Sequence, residues 1–400
     1  MSTQKKIFTT LSVWDFLLVA GLVAFLWLAT YLYTAQHLLL SRWWYHVQAP
    51  FAKQTIVCSA DSPEFMPKLM ARLIDVHKSM SNQVVYLTPN QQLYHCESGW
   101  EDGFRGRKPI TVHSRFRYAS VSKVVTSAMV LRLINQGKID LNTKLIDILP
   151  QSHLADPKVA DITVEMLLQH SAGFDRLKTY TPMLTMDVKP WCPTDLAKLA
   201  DTKLDFEPNT QFRYSNVGYC LLGAIVERVT NQSFQQATEK SFDLSARGIK
   251  FVQNGFLPDE IQYDYRYEDF YGDSYTKHFD FKDSLYAVGG LSGSAKQMVL
   301  LTHDLLNERP LNILSRSHTP CDMNVIESCY GYAMTIYQQA GHNFTQYDKS
   351  GYFPGVNTDL LVDDHGGILA IYRGASEPSH EVQEQMKKSI YHALEQYYSE

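Results

Sequence analysis

The segment YASVSKVVTSAMVLRLINQG, residues 118–137, has the composition of a buried helix but carries a lysine near its start. Burying an unpaired ammonium group is unfavourable, so this lysine requires an explanation. Lys123 could lie at a helix end and extend into solvent, or it could take part in chemistry with a neighbouring side chain. Ser120 stands three residues earlier, on the same helical face near the N-terminus, where a lysine can help to deprotonate a serine nucleophile. Ser-x-x-Lys alone is a common pattern, so the flanking sequence is needed to distinguish a solvent-exposed lysine from a catalytic one.

The sequence around this motif, and two further motifs, resemble the serine β-lactamase and penicillin-binding protein superfamily. The resemblance is greatest to its class C-type β-lactamase-related branch, and it covers about residues 60–395. The superfamily pattern requires a Tyr-x-Asn motif and then a basic residue-x-Gly motif on a strand. YSN at 214–216 and KSG at 349–351 meet this requirement in the expected order. The resemblance therefore predicts a serine hydrolase that works through an acyl-enzyme.

The resemblance implies a catalytic role for four side chains. Ser120 is expected to attack the carbonyl carbon of the substrate, and Tyr214 and Lys123 are expected to share the role of general base. A nearby ammonium group would lower the pKa of the Tyr214 phenol and make it a better base. Lys349 would add positive charge and can receive a substrate carboxylate.

The resemblance also implies how the substrate is held. Asn216, Ser350 and Gly351 are expected to bind substrate, and Gly351 leaves room for the substrate to lie along the strand. The backbone N–H groups of Ser120 and Tyr352 would form the oxyanion hole. No cofactor and no metal are expected.

The order of predicted elements indicates an α+β fold, and the resemblance implies that this fold is of the β-lactamase/transpeptidase type. We expect an antiparallel sheet built from N- and C-terminal strands, flanked by helices, with a helical subdomain inserted at about 138–300. Apolar and polar residues alternate, as in β-strands, in a predicted hairpin at 82–96 and in two predicted strands within 358–374. Residues 379–398 are predicted to form an amphipathic helix. The whole hydrolase domain is expected to span 66–400.

The N-terminal region carries an uncharged apolar run, FLLVAGLVAFLWLATYLYTA at 16–35, which is long enough to cross a bilayer. We expect a cytoplasmic tail at 1–15, a transmembrane anchor at 16–41 and a tether at 42–65. The protein would then be a single-pass protein of the inner membrane with its catalytic domain in the periplasm. A cleaved signal peptide is the alternative, although this run is longer than a usual signal-peptide core.

The chain has six cysteines, and none of them forms a Cys-x-x-Cys motif, so the spacing of zinc and thioredoxin-like sites is missing. An oxidising compartment would favour disulfides between cysteines that are near in sequence. Six buried thiols are the alternative. The expected pairs are Cys58–Cys96 and Cys321–Cys329, with Cys192–Cys220 as a third.

Composition narrows the range of partners. The formal net charge of the 400 residues is −5, and no dense basic stripe is present, so nucleic acid is not an expected partner. The expected partners are a lipid bilayer, through residues 16–41, and a small-molecule or peptide acyl substrate such as a peptidoglycan stem peptide or a β-lactam.

The substrate is the open question. The anchor places the domain where cell-wall precursors are, and the third motif is Lys-Ser-Gly where Lys-Thr-Gly is usual. A D-Ala-D-Ala-type peptidase or a related amidase or esterase is therefore favoured over a class C-like β-lactamase. A penicillin-binding sensor or scaffold without turnover is a further alternative.

His170 and Ser171 could suggest a Ser–His pair, but the resemblance makes them a structural turn. The aromatic and acidic segment 263–281 would either line the cleft or pack on the surface.

Overall fold

The computed structural model describes residues 12–35, 37–178, 190–253, 255–261, 285–308, 311–315, 320–353, 355–374 and 380–400. Within them, helices pack on both faces of an eight-stranded antiparallel sheet. The strands of this sheet are β1 (Val57–Cys58), β2 (Ser81–Leu87), β3 (Leu93–Gly99), β7 (Cys329–Tyr330), β8 (Thr335–Tyr337), β9 (Gln346–Phe353), β10 (Val356–Asp363) and β11 (Ile368–Gly374). A small three-stranded sheet consists of β4 (Phe116–Arg117), β6 (Leu291–Gly293) and β5 (Lys250–Phe251), in that order.

The large sheet joins the two ends of the chain. Its order is β1-β3-β2-β11-β10-β9-β8-β7, and the N-terminal hairpin meets the C-terminal strands where β2 pairs with β11. Side chains alternate between the faces of β2, so Val85 packs in one core and Val84 and Tyr86 pack in the other. The predicted α+β class with an antiparallel sheet from both ends of the chain is confirmed.

Apart from the N-terminal helix α1, the helices form two layers around this sheet. The helices are α1 (Val13–Ala35), α2 (His37–Lys53), α3 (Phe65–His77), α4 (Lys123–Asn135), α5 (Leu145–Ile148), α6 (Val164–Leu168), α7 (Asn216–Thr230), α8 (Phe234–Phe242), α9 (Tyr286–Gly289), α10 (Ala295–Asn307) and α11 (His380–Ser399). The larger core lies between the sheet and the helices that follow residue 120, and the smaller core lies under α3 and the C-terminal helix α11.

The segment that carries Ser120 is not α-helical at the serine itself. Ser120 lies in a 3₁₀ turn, Ala119–Ser122, and α4 begins only at Lys123. Ala119 has a φ of 46°, a left-handed value that interrupts helical geometry just before the serine. At the other end, Gly137 has a φ of 67°, as expected for a glycine that ends a helix.

The N-terminal helix α1 is long and apolar enough to span a membrane. The interval expected to be a tether, residues 42–65, contains the end of α2 and the strand β1. Ala49 and Ala52 are buried because α2 packs against α3 and β3, and small side chains allow helices to approach closely. This interval is therefore largely part of the folded domain, and the assigned domain boundaries stay predictions.

All six cysteines are paired, as the sequence suggested. Cys58–Cys96 joins the neighbouring strands β1 and β3. Cys192–Cys220 fixes a loop to α7, and Cys321–Cys329 closes a short loop before β7. The disulfides confirm the three expected pairs.

A buried ion pair supports the strand that leads to Ser120, and it gives a stability prediction. Arg117 Nε donates to Glu260 Oε1 at 2.8 Å, and both side chains are fully buried. Glu260→Gln should lower the free energy of unfolding by about 3–5 kcal/mol, because it removes the negative charge that faces a buried guanidinium. Urea unfolding of the full chain in detergent measures this loss.

The neighbouring residue is the matched control. Asp259 is half-exposed and pairs with Arg115 and Lys250, so Asp259→Asn should cost only about 0–1 kcal/mol. Equal losses in the two variants would show that the Arg117–Glu260 pair has no special role.

Candidate active site

The Ser120 hydroxyl lies at the meeting point of three segments that are far apart in sequence. Tyr214 Oη donates to Ser120 Oγ at 2.8 Å, and Lys123 Nζ lies 3.2 Å from the same oxygen. Ser120 is half-buried at the start of the cleft, while Lys123 is fully buried. The structure thus brings the first and second sequence motifs together around one oxygen atom.

Lys123 Nζ has two further partners, and both are acceptors. It lies 3.0 Å from Asn216 Oδ1 and 2.7 Å from the carbonyl oxygen of Val288. Burial lowers the pKa of Lys123 well below its usual value, and the nearby charge of Lys349 lowers it further. In its neutral form the amine has two N–H groups, which Asn216 and Val288 can accept, and its lone pair would then face the hydroxyl of Ser120.

The pKa of the Tyr214 phenol is shifted in the direction opposite to the one expected from the sequence. Its pKa is raised, because burial disfavours the phenolate more strongly than the hydrogen bond with Ser120 favours it. The expectation that a neighbouring ammonium group lowers this pKa is therefore wrong in direction. Tyr214 is a neutral hydrogen-bond donor to Ser120, and Lys123 is the better base of the two.

Lys349 completes the group of four side chains predicted from the motifs. Its Nζ lies 4.9 Å from the centre of the Tyr214 ring and donates to the carbonyl oxygen of Ser350 at 3.1 Å. Burial lowers its pKa to about 8. Lys349 is therefore a cation that loses its proton only slightly above neutral pH.

The third motif lies on β9, directly against the turn that carries Ser120. A Cβ atom on Gly351 would lie 2.5 Å from the carbonyl oxygen of Tyr118 and 2.9 Å from Ser120 N. Glycine is therefore needed here for the close approach of two backbone segments, in addition to the expected space for substrate. The role of the Ser120 and Tyr352 N–H groups as the oxyanion hole stays a prediction.

One half of β9 has an open edge. β8 pairs with Gln346–Asp348, and in the described part of the chain no strand pairs with residues 349–351 on that side. An open strand edge offers backbone groups to an extended peptide. This geometry agrees with the expected placement of a substrate along the third motif.

Two residues beside the site were not assigned to it from the sequence. His170 has a φ of 55°, its Nδ1 accepts from Ser215 N–H at 3.1 Å, and its ring lies 4.4 Å from that of Tyr214. His170 thus supports the second motif, in agreement with the predicted structural turn. The guanidinium of the exposed Arg176 lies 5.3 Å from the centre of the Tyr214 ring. No motif or spacing in the sequence marks Arg176.

The aromatic and acidic segment 263–281, discussed above from the sequence, lies outside the described residues.

The fold and this site agree with the comparisons. The sequence model of the Beta-lactamase family matches residues 70–385, and the chain belongs to this family. Penicillin-binding proteins, esterases and D-amino acid amidases share its serine hydrolase fold. The resemblance inferred from the three motifs is confirmed.

Individual relatives cover most of the chain. It is 56% identical over 362 residues to "Probable fimbrial assembly protein FimD, serogroup H1" of Dichelobacter nodosus, a match that covers 90% of this chain and 92% of that protein. The D-amino acid amidase of Ochrobactrum anthropi SV3 is 20% identical, covers 84% of this chain and 96% of its own, and superposes with a TM-score of 0.65. The penicillin binding protein of Bacillus halodurans is 22% identical, covers 80% of this chain and 99% of its own, and superposes with a TM-score of 0.60. These two structures show the fold.

The burial of Lys123 gives a second stability prediction. Between the lowered folded-state pKa of Lys123 and about pH 10, the unfolded chain binds a proton that the folded chain does not bind. This residue therefore destabilises the fold increasingly as pH falls through that window. Lys123→Met should therefore raise the melting temperature, and by more at pH 7 than at pH 10. Thermal unfolding followed by circular dichroism at the two pH values measures this difference.

The control for this prediction is Lys144→Met. Lys144 is half-exposed and pairs with Asp161, so its replacement should have a small effect that does not depend on pH in this way. A stability gain from Lys123→Met that is the same at both pH values would contradict the neutral amine.

Proposed function

We propose that this protein is a membrane-anchored serine hydrolase that cleaves an amide or ester bond through an acyl-enzyme on Ser120. The observation that carries the proposal is the environment of Lys123. Its amine is buried, two acceptors take its N–H groups, and Ser120 Oγ lies 3.2 Å from its nitrogen. A buried neutral amine in this position is a general base for the serine.

The reaction follows from these contacts. Ser120 Oγ attacks the substrate carbonyl carbon while its proton passes to Lys123, and the N–H groups of Ser120 and Tyr352 stabilise the oxyanion. The bond to the leaving group then breaks, and the leaving group takes a proton from the neutral phenol of Tyr214, which Lys123 reprotonates. A water molecule hydrolyses the acyl-enzyme by the reverse sequence of proton transfers.

Asn216 and Lys349 support these steps. Asn216 Oδ1 holds one N–H of Lys123 and so orients the lone pair of the base. Lys349, 4.9 Å from the Tyr214 ring centre, stabilises negative charge that develops when the phenol gives up its proton.

The substrate class is that of the peptidases, amidases and esterases of this fold. The support is the likeness to a D-amino acid amidase and a penicillin binding protein, and the open edge of β9 that suits an extended acyl chain. The relative named for fimbrial assembly suggests that this hydrolysis serves the building of fimbriae. We place the domain in the periplasm and α1 in the inner membrane, in keeping with its apolar length and with the three disulfides of the domain.

Active-site labelling tests the nucleophile. The full chain in detergent should react with a fluorescent fluorophosphonate, and Ser120→Ala should abolish the label. Ser171→Ala is the matched control, because Ser171 is a buried serine beside His170 whose Oγ has no hydrogen-bond partner among the described residues. This variant should keep the label.

Four results would change the assignment of the nucleophile or of the class of hydrolase. A label that survives Ser120→Ala, or that Ser171→Ala removes, contradicts Ser120 as nucleophile. A fluorescent penicillin in the same experiment separates the alternatives: a persistent adduct indicates a sensor, and rapid turnover indicates a β-lactamase.

The pH dependence of kcat/KM tests the roles of the two lysines. The rate should rise with pH as Lys123 loses its proton and should fall near pH 8 as Lys349 loses its own, because burial lowers the pKa of Lys349 to about 8. Lys349→Arg keeps the positive charge and should move the falling limb to higher pH. An unchanged falling limb in Lys349→Arg would show that another group causes it.

A further inference from the structure

An exposed arginine lies beside the phenol of the second motif. The guanidinium carbon of Arg176 is 5.3 Å from the centre of the Tyr214 ring, and the hydroxyl of Tyr214 donates to Ser120 Oγ at 2.8 Å. The backbone N–H of Arg176 also donates to the carbonyl oxygen of Tyr214 at 3.2 Å, so the main chain fixes this arginine to the second motif. Because each of these steps is short, the guanidinium lies within about three residues of extended chain from Ser120 Oγ.

No carboxylate pairs with this guanidinium within the residues that the structure describes. The acid next to it in sequence, Asp175, has its Oδ2 atom 3.7 Å from Arg213 Nε instead. The acid whose charge acts on the Tyr214 phenol, Glu327, binds Lys387 Nζ at 2.5 Å. An exposed positive charge beside the nucleophile is therefore available to a ligand.

The charge of Arg176 acts on the catalytic groups. Burial is the main cause of the lowered pKa of Lys123, and the positive charges of Lys349 and Arg176 lower that pKa further. Lys349 is only 5% exposed, and it donates to the carbonyl oxygen of Ser350 on its own strand. Of these three basic side chains, Arg176 is the one that a substrate can reach from solvent, and it attracts negative charge that enters the cleft.

We propose that Arg176 binds a carboxylate of the substrate, so that the preferred substrates are acidic acyl compounds or acidic peptides. A planar guanidinium can form two parallel N–H···O hydrogen bonds with a carboxylate. The inference rests on the proposed function and narrows its substrate class. It assigns the carboxylate to a residue beside the second motif, whereas the expectation from the sequence assigned it to Lys349 in the third.

A matched pair of alkyl fluorophosphonates tests this subsite. Both probes carry a chain about as long as three residues, which ends in a carboxylate in one probe and in a carboxamide in the other. Ser120 Oγ attacks phosphorus, the P–F bond breaks, fluoride leaves, and the serine proton passes to Lys123. Mass spectrometry of the full chain in non-ionic detergent gives the second-order rate constant of labelling. At low salt the carboxylate probe should react at least about fivefold faster than the carboxamide probe, the effect of one charge-assisted interaction.

Arg176→Gln should remove this preference. The carboxylate-to-carboxamide ratio of labelling rates should fall to about one, because the variant has no charge for the carboxylate to bind. Arg176→Lys keeps the charge without the planar fork and should retain part of the preference. High salt should reduce the wild-type ratio, since salt screens an exposed charge. A merely structural role of Arg176 would change both rates together and leave the ratio as it is in the wild type.

Lys178→Gln is the matched control. Lys178 is exposed on the same loop, so this variant removes the same charge, but within the described residues its amine makes no contact with the Tyr214 ring. The ratio should stay as it is in the wild type. An equal loss of preference in Lys178→Gln and Arg176→Gln would show that the net charge of the loop attracts the probe, and would overturn the subsite.

The outcomes separate the two proposals. Equal labelling of Ser120 by the two probes, or an Arg176→Gln ratio equal to that of the wild type, overturns the carboxylate subsite while Ser120 stands as the nucleophile. Failure of both probes to label Ser120 overturns the proposed function and this inference with it.

Discussion

The burial of one amine organises this molecule. Lys123 lies at the start of α4 with no exposed surface, and its nitrogen is held by an asparagine from α7 and a carbonyl group of α9. A buried amine is tolerated only where its hydrogen-bonding groups are matched and its charge is given up. The helical layer must therefore keep three separate segments, α4, α7 and α9, in register around a single nitrogen atom, and this constraint fixes that atom beside Ser120.

The large sheet supplies the other half of the site. The first strands and the last strands of the domain pair through β2 and β11, and this pairing places β9 against the turn of Ser120. Gly351 permits the contact because its missing side chain leaves room for the backbone at Tyr118 and Ser120. The turn of Ser120 and Lys123, the residue Tyr214 and the strand β9 are thus distant in sequence, and the fold brings them together around Ser120.

Much of this arrangement could be predicted because motif order and strand alternation are local properties of the sequence. The first two motifs identified Lys123 and Tyr214, the side chains that contact Ser120 Oγ within the described residues, and the hairpin and the C-terminal strands lie where their patterns predict them. The direction of the Tyr214 pKa could not be predicted, since it depends on how completely the fold buries the phenol.

The disulfide between Cys192 and Cys220 has a consequence for the biogenesis of the protein. Cys220 lies on α7 one helical turn beyond Asn216, the residue that orients the amine of Lys123. The covalent bond fastens this helix to a loop that lies 28 residues earlier in the chain. A newly made chain with two thiols at these positions lacks that clamp, so oxidative maturation completes the support of the catalytic machinery.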